Sequence, residues 1–171
     1  MKAKFETEFG AFVIELSMQK APVTANYFRE IIESGAFTGS SIFRVVGGDN
    51  AAIRAENPIK VVQGGLKDTD PQPVPPVRHE PTSETGLSHQ KWAVSTARFG
   101  PGETYGSFFI CMRDEPELNF GGHRHPDGLG FAVFGNIVSG FDAVQALYDQ
   151  REKDEFLNIP IPIHACRMVD D

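Results

Sequence analysis

Residues 92–112 read Trp92-Ala93-Val94-Ser95-Thr96-Ala97-Arg98-Phe99-Gly100-Pro101-Gly102-Glu103-Thr104-Tyr105-Gly106-Ser107-Phe108-Phe109-Ile110-Cys111-Met112. Trp92 to Ala97 is a short apolar run with small residues and predicts a strand. Phe99 to Gly106 carries three glycines and a proline, which is loop chemistry. Ser107 to Met112 is rich in strand formers and predicts a second strand. Side chains alternate along a strand, so Phe108 and Phe109 must face opposite ways. One can fill a core while the other lines a surface pocket. Taken alone, the residues fit simple burial of both rings better.

The chain has 171 residues, enough for one domain (1–171) with a proper core and few for two. It is 40% hydrophobic and 23% charged, with 14 phenylalanines against one tryptophan. A formal net charge of −7 argues against nucleic acid or an anionic membrane surface as partner. No apolar run has the length to cross a bilayer, and the first residues alternate instead of forming a signal peptide's continuous apolar core. A cytoplasmic monomer is therefore expected. Cys111 and Cys166 each sit in an apolar run and predict free buried thiols.

Outward from the central stretch, Lys2–Thr7 and Ala11–Leu16 alternate around Glu8-Phe9-Gly10, a hairpin signal. Pro22 opens a helix with Thr24 as an early cap; Ala25, Phe28, Ile31 and Ile32 recur at helical spacing, and Gly35 ends it. Residues 47–58 are polar and predict a loop, followed by the apolar run Ile59-Lys60-Val61-Val62-Gln63-Gly64-Gly65. Asp68–Leu87 holds Pro71, Pro73, Pro75, Pro76 and Pro81, and predicts a surface excursion with neither regular helix nor central strand. Gly130–Gly135 predicts a strand, Gly140–Tyr148 a second helix and Ile163–Val169 the closing strand. His123 and His125 flank Arg124, while His79, His89 and His164 are scattered; no spacing assembles a metal site, so surface histidines are expected. No phosphate loop, dinucleotide fingerprint, nucleophile elbow or repeat occurs.

Several of these pieces, in order, resemble the cyclophilins, the β-barrel peptidyl-prolyl cis-trans isomerases. The matching residues are Ala21-Pro22-Val23-Thr24, Asn26 before Tyr27-Phe28, Gln63-Gly64-Gly65, Thr85-Gly86-Leu87, Ser95-Thr96-Ala97-Arg98, Gly100-Pro101, Ser107-Phe108-Phe109-Ile110 and Phe131-Ala132-Val133-Phe134-Gly135. Loops with Pro116-Glu117-Leu118 and Gly121-Gly122 look closest to a bacterial branch. The resemblance implies a mainly β fold, a closed eight-stranded antiparallel barrel capped by two α-helices. The family's Phe-His-Arg-Val strand matches residues 42–45 in one of two registers. Anchoring on Phe43 puts Val45 at the catalytic arginine's place; anchoring on the preceding turn puts Arg44 there, and is preferred.

By this resemblance Arg44, Gln63 and Phe109 are the catalytic candidates: a donor, the residue that holds it and a hydrophobic floor. Leu118, Phe131 and Val61 would be walls, and the main chain of Ala97 and Arg98 would anchor the peptide. Lys60 replaces a pocket phenylalanine, Glu117 a tryptophan and Ser107 a glutamine, which implies a thinner, more polar pocket and one lost hydrogen bond. The implied activity is rotation about X-Pro bonds of proline-containing peptides and of unfolded or flexible protein clients, with no metal or cofactor. The alternative is a catalytically weak or inactive proline-peptide binding module, motivated by Lys60, Glu117 and Ser107. A small-ligand barrel sharing only the fold is more remote.

Overall fold

The computed structural model describes residues 1–50 and 56–170; residues 51–55 of the loop predicted at 47–58 lie outside it. Among the described residues the strands are β1 Lys2–Thr7, β2 Gly10–Leu16, β3 Ser41–Val46, β4 Val61–Gly65, β5 Ala93–Arg98, β6 Thr104–Cys111, β7 Ala132–Ser139, β8 Phe156–Pro162 and β9 Ala165–Val169. The helices are α1 Pro22–Glu33, the single turn α2 Thr82–Thr85 and α3 Phe141–Asp149. Every ladder is antiparallel, in the order β8-β3-β4-β6-β5-β7-β2-β1-β9.

The fold is mainly β, as expected, but with nine strands instead of eight. The two outermost strands, β8 and β9, are consecutive in the chain with only Ile163 and His164 between them. The sheet therefore curls, and a two-residue chain step links its two outermost strands. Ile163 N–H donates to Ser40 O at 2.8 Å and His164 N–H to Glu6 O at 2.8 Å, fixing the step to both sides. The predicted closing strand is β9 alone, and β8 was not foreseen. Its Pro160 and Pro162 remove ladder donors, which a strand tolerates at a sheet edge.

Phenylalanine builds the interior. Phe5, Phe12, Phe28, Phe37, Phe108 and Phe134 are all buried in one cluster, with Phe28 stacked on Phe134 at 4.0 Å. Phe108 belongs to this core, whereas Phe109 joins a second cluster on the opposite face with Val61, Ala97, Leu118 and Val133. The alternation read from the sequence holds. The strand containing both rings starts earlier than expected, at Thr104, because Gly106 sits inside it with φ 78°. Glycines read as a loop are partly strand.

Helix α1 buries Ala25, Phe28, Ile31 and Ile32, the face its spacing predicts, and Gly35 follows it with φ 81°. Its cap differs from expectation. Thr24 does not cap it; the carboxylate of Glu80, 1% exposed, reaches in from the proline-rich excursion. It accepts from Val23 N–H (3.2 Å), Thr24 N–H (3.0 Å) and the Thr24 hydroxyl (2.8 Å). A carboxylate at this end satisfies orphan amides and suits the helix dipole. The same excursion contains α2, which starts after Pro81 and ends at Gly86, φ 72°, so the expectation of no helix there fails for one turn. Glu80→Ala would leave two buried donors and one half-buried donor without this acceptor. Urea unfolding should show a loss of about 3 kcal/mol; a loss under about 0.5 kcal/mol, ordinary for a surface change, would contradict the capping role.

Candidate active site

One register row crosses the sheet. Phe156 of β8 pairs with Arg44 of β3, Arg44 with Gln63 of β4, Gln63 with Phe109 of β6, Phe109 with Ser95 of β5, and Ser95 with Val133 of β7. Directly opposed residues point to the same face. Both ladders of β3 shift between Ile42 and Arg44, a bulge that leaves Phe43 out of register. Arg44 thereby joins the row, while Val45 is fully buried in the core.

Three members of the row, Arg44, Gln63 and Phe109, line a cleft of about 880 Å³. Arg44, Val61, Gln63, Ala97, Arg98, Phe109, Leu118 and Phe131 all line it. Phe109 is 5% exposed and lies edge-on to Phe131 at 5.6 Å. Arg44 Nη1 donates to Gln63 Oε1 at 3.0 Å, while Nε and Nη2 donate to Glu155 Oε2 at 3.1 and 2.8 Å. Gln63 Nε2 donates to Ser107 Oγ at 2.9 Å. The glutamine is held at both ends and presents its oxygen to the arginine.

Three expected residues stand elsewhere. Lys60 does not line the cleft: Ile59, Val61 and Gln63 share a face, so Lys60 points the other way, beside Gly48. The wall expected to be thin and polar is formed by Ile59, 5% exposed. Ser107 is fully buried beneath Gln63, too short to reach the cleft; Tyr105, two residues earlier, lines it instead. Glu117 is also outside the lining. Its carboxylate accepts from His123 N–H and Nδ1, both at 2.7 Å, and these hydrogen bonds hold it below the ordinary carboxylate pKa. His123 then lines the mouth together with His125 and the exposed ring of Phe99, which stacks on Tyr105 at 4.8 Å.

The Arg98 side chain is 1% exposed. It donates to Gly130 O, Phe99 O and both oxygens of Asp127, and its guanidinium lies 4.9 Å from the Phe131 ring centre. Arg98 is thus a strut that ties residues 127–131 to β5 and seats Phe131 over Phe109. The β5–β7 ladder ends at Thr96↔Ala132, so the main chain at Ala97 and Arg98 lies beyond that ladder, along the cleft. Among the described residues no group of three His, Cys, Asp or Glu could hold a metal ion. Cys111 and Cys166 are free and buried, and burial pushes both thiols up, Cys166 to about 12.

A profile of the family described as cyclophilin type peptidyl-prolyl cis-trans isomerase/CLD matches residues 2–168. The chain belongs to the cyclophilin family. A Streptomyces antibioticus peptidyl-prolyl cis-trans isomerase is 30% identical over 148 residues, covering 84% of this chain and 81% of the relative. Peptidyl-prolyl cis-trans isomerase B of Escherichia coli is 27% identical over 146 residues, with coverages of 84% and 81%. A Cryptosporidium parvum cyclophilin type isomerase, crystallised in the presence of the dipeptide Ala-Pro, superposes over 100% of both chains with TM-score 0.73 at 18% identity, a likeness of fold.

Beneath the floor of this cyclophilin's cleft lies a group the sequence placed at the surface. His89 is 1% exposed, and its ring is nearly parallel to Phe109 at 6.0 Å. Its Nδ1 lies 2.8 Å from Asn119 Oδ1, an obligate acceptor, so Nδ1 carries the proton and Nε2, 2.9 Å from Ser95 Oγ, accepts. Asn119 adjoins Leu118, so His89 fastens the cleft wall to β5. Burial lowers its pKa from 6.5 to about 4 despite the Asn119 contact. Below pH 6.5 the unfolded chain takes up this proton first, so the stability present above that pH is lost as pH falls towards 4. Wild type should lose about 3 kcal/mol more than His89→Gln over that interval, measured by urea unfolding at several pH values. Parallel pH profiles would show that His89 is not the buried neutral group described.

Proposed function

We propose that this cyclophilin catalyses rotation about X-Pro peptide bonds in the 880 Å³ cleft, acting on proline-containing peptides and flexible segments of client proteins. The observation that carries the reading is the register row that sets a guanidinium beside an apolar floor, Arg44 next to Gln63 next to Phe109.

The X-Pro bond resists rotation because its C–N bond has partial double-bond character, with a barrier of about 18–20 kcal/mol. In the twisted state conjugation is lost and the prolyl nitrogen becomes pyramidal, with a lone pair able to accept a hydrogen bond. No nucleophile is required. What lowers the barrier is a donor that bonds the twisted state better than the planar one, at about 1.4 kcal/mol for each tenfold. Arg44 is that donor. Its five N–H bonds exceed the three committed to Gln63 and Glu155. Phe109, Leu118, Phe131, Val61 and Ile59 receive the proline ring and exclude water around the bond. The main chain of Ala97 and Arg98 holds the peptide beside β5.

A second reading, a proline-peptide binding module with little catalysis, is favoured by the Arg44–Glu155 ion pair, since a carboxylate at 2.8 Å weakens the field Arg44 projects. Exchange across the Ala-Pro bond of a short peptide, followed by NMR, separates the two. Wild type should accelerate exchange and Arg44→Ala should lose about a hundredfold or more of that rate, with peptide shifts still reporting binding. Binding by wild type without acceleration would establish the module, and acceleration untouched by Arg44→Ala would remove Arg44 from the role.

A further inference from the structure

Glu155 touches Arg44 from outside the cleft. The guanidinium meets it along its Nε–Nη2 edge, both nitrogens donating to Glu155 Oε2, while Nη1 donates to Gln63 on the other side. A planar fork held at two edges has its plane fixed. The remaining donors, one N–H on each terminal nitrogen, are then directed by Glu155 and Gln63 together. Glu155 is itself anchored. Its carbonyl accepts from Val45 N–H, the residue after Arg44, at 2.8 Å. The buried Asn50 side chain donates to Val45 O and Glu152 O, both at 2.9 Å, and Arg151 Nε meets Asp49 Oδ1 at 3.0 Å. The turn after β3 and the segment before β8 are thus laced together around the arginine. Phe156, next in sequence, places its ring 5.5 Å from the guanidinium carbon.

The geometry points to Glu155 as a positioning residue for isomerisation: it sets the plane of the Arg44 guanidinium against the prolyl bond. The inference rests on the reading of Arg44 as donor. Both side chains are only 20% exposed, so the pair is largely sheltered from solvent; an ion pair serving structure alone would act on stability and leave turnover unchanged. An orienting contact acts on turnover, because misplacing a donor by a fraction of an ångström weakens its bond to the twisted state.

The test compares wild type, Glu155→Ala, Glu155→Gln and Arg44→Ala in the Ala-Pro exchange assay, with peptide affinity and the Arg44 Nε–H NMR resonance recorded for each chain that retains the arginine. Glu155→Ala should lower the catalysed rate about tenfold, leave peptide affinity within about twofold, and broaden or lose the Nε–H resonance. Glu155→Gln, which keeps an acceptor oxygen, should recover most of the rate and the resonance. A Glu155→Ala rate equal to or above that of wild type, in a chain that still binds peptide, would overturn the inference and make the carboxylate a bystander or a restraint. If Arg44→Ala also keeps the full rate, the donor reading fails first; if Arg44→Ala collapses while Glu155→Ala does not, the positioning role alone fails.

Discussion

Antiparallel pairing obliges directly opposed residues to share a face, and this protein's site depends on that rule. Six strands contribute one residue each to a single row, Phe156, Arg44, Gln63, Phe109, Ser95 and Val133. Without the bulge between Ile42 and Arg44, Phe43 would stand opposite Gln63 in the row. The bulge brings the guanidinium to the Gln63 side chain while Val45 stays in the core. Everything nearby then serves to hold the row still. Ser107 orients Gln63 from below, His89 backs Phe109, and Arg98 brings Phe131 over it. A one-residue slip would exchange the two faces, so stability and site geometry are set by one register.

Charge around the cleft is closely matched. Arg44 faces Glu155 and Arg98 faces Asp127. On the proposed reading, apolar contact carries much of the attraction for a peptide, and the arginine acts through direction more than through long-range field. This fits an enzyme that recognises a proline ring and a rotating bond, since both features are nearly neutral. The Phe99–Tyr105 pair extends the apolar surface towards the mouth, with Phe99 66% exposed.

The fold was largely legible because it rests on patterns that are local. The hairpin, α1, α3 and the strands around Phe108-Phe109 follow from period and punctuation. Strand β8 was missed because Pro160 and Pro162 argue against a strand unless it is known to lie at an edge, which is a tertiary fact. Within the site, Ile59 and Tyr105 line the cleft and Lys60 does not. Ile59 precedes β4 and Tyr105 lies beyond the positive-φ Gly106, so strand alternation alone does not assign them. Glu155 and Glu80 could not be read at all: one lies 111 residues from Arg44 and the other 56 from Thr24, in segments without periodic signal. Distant carboxylates reach their partners through loops whose paths only the folded chain reveals.

The central claim is that the directed fork of Arg44, and not merely its charge, lowers the barrier to X-Pro rotation. Arg44→Lys keeps the charge and removes the fork. Measured by NMR exchange on an Ala-Pro peptide, in a chain whose amide spectrum remains that of wild type outside the cleft, its catalysed rate should fall at least about tenfold. A rate near that of wild type would contradict the account, because a single ammonium cannot bond Gln63, Glu155 and the twisted peptide in the geometry described.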